Sequence, residues 1–229
     1  MFYSRHGDVA FAHYPKTAGT SVQFWFRRVF PDGELLEVEN PHLPVAAAIK
    51  RIRGGTPARA WRRFVAPIVR ARVPAIPTVV GVIREPFEML VSLYEYWRRH
   101  EFAVEPEAAF IQAARRGTFA AFLRMAVVDG WMPTYESFFD VGGSAWARTR
   151  LIDFRGIDAG LAAVARECGV EQPPRLERRN AAATRCRDLT AYRVEAGALA
   201  DEVRRHFRWY YEEGLELAIG RPVTPAKAA

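Results

Sequence analysis

The chain has 229 residues, half of them hydrophobic and 13% aromatic, with a formal charge of +7. That length supports one α/β domain with a sizeable core, and that composition excludes a disordered chain. No apolar run approaches the roughly 20 residues of a membrane span, and the N-terminus carries no apolar targeting segment, so a cytoplasmic protein without a membrane span is expected.

Hydrophobic periodicity predicts strand 9–14, helix 19–30, strand 34–38 and a helix around 44–53. A basic helical stretch follows at about 58–72. Strand 78–83, helix 86–100, helix 105–116 and helix 118–128 come next, the last running into a loop up to 149. Strand 150–154, helix 158–168, a loop over 171–190 and a helix over 196–218 complete a single domain, 1–220, before a tail, 221–229, expected to fray. Strands alternating with helices predict a central parallel sheet with helices on both sides. Ligands of such sheets sit beyond the carboxyl ends of the strands.

Cys168 and Cys186, without a secretory signal, imply no disulfide framework and read as structural thiols. His6, His13, His42, His100 and His206 are scattered without zinc spacing, and no metal is expected. From Lys50 to Arg72 eight basic residues occur with no acidic one. This run is either a solvated basic face or an attractor for an anionic cofactor or substrate. No recognised nucleic-acid motif accompanies it, so no specific nucleic-acid partner is expected. The loop 171–190 adds Arg175, Arg178, Arg179, Arg185 and Arg187.

The most informative stretch is His13-Tyr14-Pro15-Lys16-Thr17-Ala18-Gly19-Thr20-Ser21. It lies between a buried strand and an amphipathic helix. A helix start offers free backbone N–H groups and the positive end of the dipole, which together attract anions. Gly19 allows close backbone approach, and Lys16 adds a mobile positive charge. The loop lacks the Gly-x-x-x-x-Gly-Lys-Ser/Thr order of nucleotide triphosphatases, because its lysine precedes its only glycine. A second segment repeats the theme. Strand 78–83 ends at Arg84, Pro86 suits the first helical position, and Ser92 lies about two turns into the helix, off the apolar stripe. Arg84 and Ser92 are placed to converge on one anion, for which the guanidinium fork is well shaped.

Pro-Lys-Thr-Ala-Gly-Thr-Ser after one strand, with Arg-x-Pro and a serine eight residues beyond the arginine after a later one, resembles the sulfotransferases that use 3′-phosphoadenosine 5′-phosphosulfate (PAPS). The nearest likeness is to the branch holding carbohydrate 2-O-sulfotransferases and their soluble bacterial relatives. Weaker likenesses cover Arg150 to Ile157, Leu176 to Asn180 and Val203 to Leu217. The chain departs from the pattern at Met89, where many relatives carry a second arginine, at Ile157-Asp158, and at Glu212 and Glu213. The resemblance implies a three-layer, P-loop NTPase-like α/β fold and metal-independent sulfuryl transfer. It implies that Pro15, Lys16, Thr17, Ala18, Gly19, Thr20 and Ser21 hold the 5′-phosphosulfate, and that Arg84 and Ser92 hold the 3′-phosphate. Asn180 and Arg179 are expected near the nucleotide.

Transfer to a hydroxyl needs a group that takes its proton. His42, after the second strand, is the first choice. Glu39 is the second, and His100 and Glu95 stand further off. The acceptor is expected to be a glycan or small molecule with a hydroxyl group. Two alternatives remain: a P-loop-like kinase or other phosphotransferase, and a nucleotide-binding protein without catalysis.

Overall fold

The computed structural model describes residues 1–37, 40–54, 75–100, 108–179 and 188–219. The basic stretch 58–72, Glu39, Asn180, Cys186 and the tail 221–229 lie outside the described residues. A five-stranded sheet is flanked by helices on both faces. Its order is β3 (Glu34–Leu35), β1 (Phe2–Ser4), β2 (Val9–Ala12), β4 (Thr78–Ile83) and β5 (Thr149–Asp153).

The sheet is mixed, where a parallel one was expected. β2, β4 and β5 pair in parallel, but β1 runs antiparallel to both β2 and β3. β1 folds back on β2 as a hairpin, with Ser4 opposite Val9. Asp32 ties the turn down by accepting from the Ser4 hydroxyl at 2.7 Å and from the Arg5 and His6 amides at 2.9 Å.

The parallel strands read as unbroken apolar runs because both of their faces are covered. Val9 and Phe11 of β2, with Val80 and Val82 of β4, pack under α1 (Gly19–Val29) and α7 (Ile157–Glu167). Val22, Trp25 and Phe26 form the buried stripe of α1, at the spacing an amphipathic helix requires. Ala10, Ala12, Val79 and Ile83 face the larger core on the other side. That core is built by α2 (Val45–Gly54), α3 (Pro86–Arg99), α4 (Ala109–Arg116), α5 (Phe119–Leu123), α6 (Tyr135–Phe139), α8 (Thr190–Ala196), α9 (Leu199–His206) and α10 (Leu215–Ala218).

Several boundaries differ from expectation. Strand 9–14 stops at Ala12, and strand 34–38 shrinks to two described residues. The segment read as loop before β5 contains α6, capped by the Thr134 side chain. The long final helix is broken. Gly197 at φ 50° ends a separate helix, α8, so that α9 starts only at Leu199; α9 stops at His206, and a π-helical turn occupies Tyr210–Gly214. A left-handed residue cannot continue a right-handed helix.

The chain leaves β2 toward the β3 edge, then returns to lay β4 on the other side of β2. The crevice between the carboxyl ends of β2 and β4 is therefore a topological switch point. Tyr135 fixes one wall of it. Its fully buried hydroxyl donates to the Arg84 carbonyl at 2.7 Å and accepts from the Arg84 amide at 3.1 Å. Tyr135→Phe leaves both backbone groups short of a partner and is expected to destabilise the fold by about 1–3 kcal/mol. Urea unfolding of the variant checks this; an unchanged midpoint would contradict it.

Candidate anion-binding site

The loop after β2 is held at both ends. The Tyr14 ring is fully buried against Tyr135, Phe138 and Phe139, and its hydroxyl donates to the Pro133 carbonyl at 2.5 Å. Thr17, also fully buried, donates to the Tyr14 carbonyl at 2.9 Å. Between these anchors Lys16 and Ala18 take left-handed backbone, φ 59° and 63°. Each such non-glycine residue costs about 1–2 kcal/mol, which the anchored loop ends must offset. A left-handed Ala18 followed by the right-handed start of α1 turns successive N–H groups toward one concavity, an arrangement suited to anions.

α1 begins without a side-chain cap and without an acidic residue in its first turn. Its first ladder bond runs from the Val22 amide to the Ala18 carbonyl, leaving the amides of Gly19, Thr20 and Ser21 outside the ladder. Lys16 sits beside them, its ammonium 4.1 Å from the centroid of the Tyr96 ring on α3. Among the described residues no carboxylate pairs with it. Burial, and then the Arg84 guanidinium, lower its pKa. The two cations thus share one electrostatic environment at the ends of adjacent strands.

Arg84 leaves β4 with its guanidinium 4.6 Å from the centroid of the Phe154 ring. One terminal nitrogen is 3.5 Å from Glu88, and its Nε is buried without a hydrogen-bond partner. α3 starts as expected, with Pro86 in its first turn and the Glu85 side chain accepting from the Glu88 amide at 2.7 Å. Glu88, Ser92 and Tyr96 follow at four-residue spacing and share one helix face. Ser92 therefore lies between the residue that Arg84 touches and the residue that Lys16 touches. The ends of β2 and β4 thus bring Lys16 and Arg84 to the face of α3 that carries Ser92. Tyr96 is 42% exposed beneath Lys16. Its place four residues after Ser92 was the available signal.

Two histidines back the loop. The His42 Nδ1 lies 2.8 Å from the His13 carbonyl oxygen, and the two rings are 4.4 Å apart. A carbonyl only accepts, so Nδ1 of His42 carries the hydrogen and Nε2 of the neutral ring carries the lone pair. Burial lowers the His42 pKa, partly opposed by that hydrogen bond. His13 is held down to about 3 by burial, with His42 the next largest cause, so it stays neutral. Gly19 makes room for this ring: a Cβ there would lie 1.5 Å from the His13 Nε2. The glycine serves the histidine at least as directly as it serves a ligand.

The three hydroxyls of the loop differ in availability. Thr17 is committed to Tyr14, and Ser21 exchanges hydrogen bonds with the Arg179 amide (2.8 Å) and carbonyl (3.2 Å). Thr20 is exposed. Pro15 and Ala18 contribute loop backbone. The segment before residue 180 straps along α1. Trp25 Nε1 donates to the Pro174 carbonyl at 2.7 Å, Arg28 pairs with Glu177 at 2.5 Å, and the Arg179 guanidinium lies 3.4 Å from the Phe24 ring centroid. Arg179 is thereby brought to the start of α1. Glu95 accepts from Tyr192 at 2.6 Å and pairs with Arg98 and Arg99, so its carboxylate is spent. His100 stacks on Tyr96 at 4.8 Å.

Comparison with protein-family models, with curated proteins and with solved structures finds no match in any of the three. Among the described residues no group of three or more His, Cys, Asp or Glu could hold a metal ion, and no helix is long and apolar enough to cross a membrane.

The buried His13 makes stability depend on acid. Its ordinary pKa is 6.5 and its folded value is about 3, so between those limits the unfolded chain binds the extra proton. Stability is expected to fall as pH drops from about 6.5 toward 3, this group alone giving a slope of up to about 1.4 kcal/mol per pH unit. Urea unfolding across that range, repeated with His13→Asn, checks it. A variant with the same slope as the parent would contradict the assignment.

Proposed function

We propose that this chain is a sulfotransferase, moving the sulfuryl group of PAPS to a hydroxyl of a carbohydrate or other small-molecule acceptor. The observation that carries the reading is the pair of cations at the β2–β4 switch point. Among the described residues Lys16 is half-buried without a carboxylate, beside an uncapped helix start, and Arg84 has a buried, unpartnered Nε at the next strand end. A nucleotide with phosphates on both its 5′ and 3′ sides suits two cations set along one crevice. The fold that goes with this reading is the three-layer P-loop NTPase-like one, and the location is cytoplasmic.

PAPS supplies the activated sulfuryl group, with adenosine 3′,5′-bisphosphate as the leaving group. The amides of Gly19 to Ser21 and the Lys16 ammonium hold the 5′ side. Arg84 and Ser92 hold the 3′-phosphate, and Arg179 closes the edge near α1. The acceptor oxygen bonds to sulfur as the bond from sulfur to the bridging oxygen breaks. Lys16 neutralises the charge that collects on that bridging oxygen, an interaction strongest in the transition state. His42 Nε2 takes the acceptor proton, its ring oriented by the His13 carbonyl. Glu39 is the reserve candidate for that proton.

Transfer of labelled sulfate from PAPS to a panel of sugars and phenols tests the proposal. Lys16→Ala is expected to cut turnover by at least about a hundredfold and to weaken adenosine 3′,5′-bisphosphate binding by much less. Preferred binding of ATP with magnesium would favour a phosphotransferase instead, and tight nucleotide binding with no transfer would favour a non-catalytic binder. His42→Ala is expected to lower turnover by roughly two to four powers of ten. The parent pH profile should fall on its acidic side below about 6.5, since burial lowers the His42 pKa and only the neutral ring accepts a proton. An active His42→Ala with an unchanged profile would pass the role to Glu39.

A further inference from the structure

Where β4 and β5 end, the Glu88 carboxylate lies between two guanidiniums. Glu88 Oε2 is 3.5 Å from Arg84, and Glu88 Oε1 is 3.8 Å from Arg155. Both distances exceed the roughly 2.7–2.9 Å of a well-made charge-assisted bond. Arg155 comes from the short 3₁₀ turn Phe154–Gly156, which also supplies the ring under Arg84. Its side chain is 72% exposed. Arg84 is held from behind by Tyr135 and keeps a buried Nε with no partner among the described residues. One loosely held carboxylate therefore bridges two guanidiniums, with Glu85 and Asp153 also in the neighbourhood of Tyr210 and a donor of Arg84 unused among the described residues.

We propose that Arg84 and Arg155 together form a site for a phosphate monoester dianion, and that Glu88 is its resident stand-in. A tetrahedral phosphate offers three oxygens, enough to reach both guanidiniums and the idle Nε at short distance. The Glu88 carboxylate can satisfy each arginine only from afar. Glu88 then sets selectivity. A singly charged group offers no more than Glu88 already does, so it gains little by displacing it. A dianion gains the second charge. Glu88 also weakens the grip on the bound phosphate by repulsion, which favours release of a spent nucleotide. The inference rests on the reading in which Arg84 faces the 3′-phosphate, and it adds Arg155 and Glu88 to that subsite.

Calorimetric titration with adenosine 3′,5′-bisphosphate and with adenosine 5′-monophosphate tests it. The parent is expected to prefer the bisphosphate. Arg155→Ala should weaken bisphosphate binding by about tenfold or more, the scale of one charge-assisted contact, and leave the monophosphate within about twofold. Glu88→Gln should tighten bisphosphate binding several-fold by removing the competing charge. Circular dichroism melts confirm that both variants are folded. A parent that prefers the bisphosphate, with Arg155→Ala unchanged toward both nucleotides, would overturn the role of Arg155 and leave that of Arg84 standing. Weaker bisphosphate binding in Glu88→Gln would overturn the stand-in role. A parent that binds both nucleotides equally would overturn the reading of Arg84 and this proposal together.

Discussion

The positive charge of Lys16 is held where burial penalises it and where no described carboxylate offsets it. Removing an ammonium from water is costly, and a second cation, Arg84, adds to the penalty. The ring of Tyr96 offsets only part of this, since a cation over an aromatic face contributes about 0.5–2 kcal/mol. An anion bound at the loop would offset this cost. The left-handed backbone at Lys16 and Ala18 adds to the same strain in the same loop.

The aromatic core on the α3 side supplies the rigidity that such a loop needs. Tyr14 anchors the loop and Tyr135 anchors Arg84, and their rings are 4.6 Å apart. Phe138 and Phe139 pack around Tyr14. The two cationic strand ends are thus fixed by neighbouring rings in one close-packed cluster. Close packing gives little room for one end to move without the other. On the opposite face His13 fills the space that Gly19 leaves open and presents its carbonyl to His42. The loop is clamped from both sides of the sheet.

Much of this was legible in the sequence, for identifiable reasons. β2 and β4 are buried on both faces and read as short apolar runs, and Pro86 marks the start of α3. Both cationic motifs then follow from position alone. β1 escaped because three residues carry no periodicity, and with it went the mixed character of the sheet. The broken C-terminal helix escaped because the apolar pattern of Val203, Phe207 and Tyr210 continues through the stop at His206 and the π-helical turn Tyr210–Gly214. The Ser21 hydroxyl meets the Arg179 backbone, 158 residues away, a partner no local pattern reveals. Helical spacing does not separate a buried aromatic such as Tyr94 from Tyr96, which lies under Lys16. The histidine pair was half legible: His42 followed from its place after the second strand, whereas its bond to the His13 carbonyl needed the fold.

Whether this crevice is built for a nucleotide with two separated anionic ends is answered most directly by a crystal structure with adenosine 3′,5′-bisphosphate bound. The 5′-phosphate is expected on the amides of Gly19 to Ser21 with Lys16 turned from Tyr96 onto it, and the 3′-phosphate on Arg84 near Ser92. A nucleotide bound elsewhere, or bound here in the opposite sense with Lys16 still over Tyr96, would contradict the account.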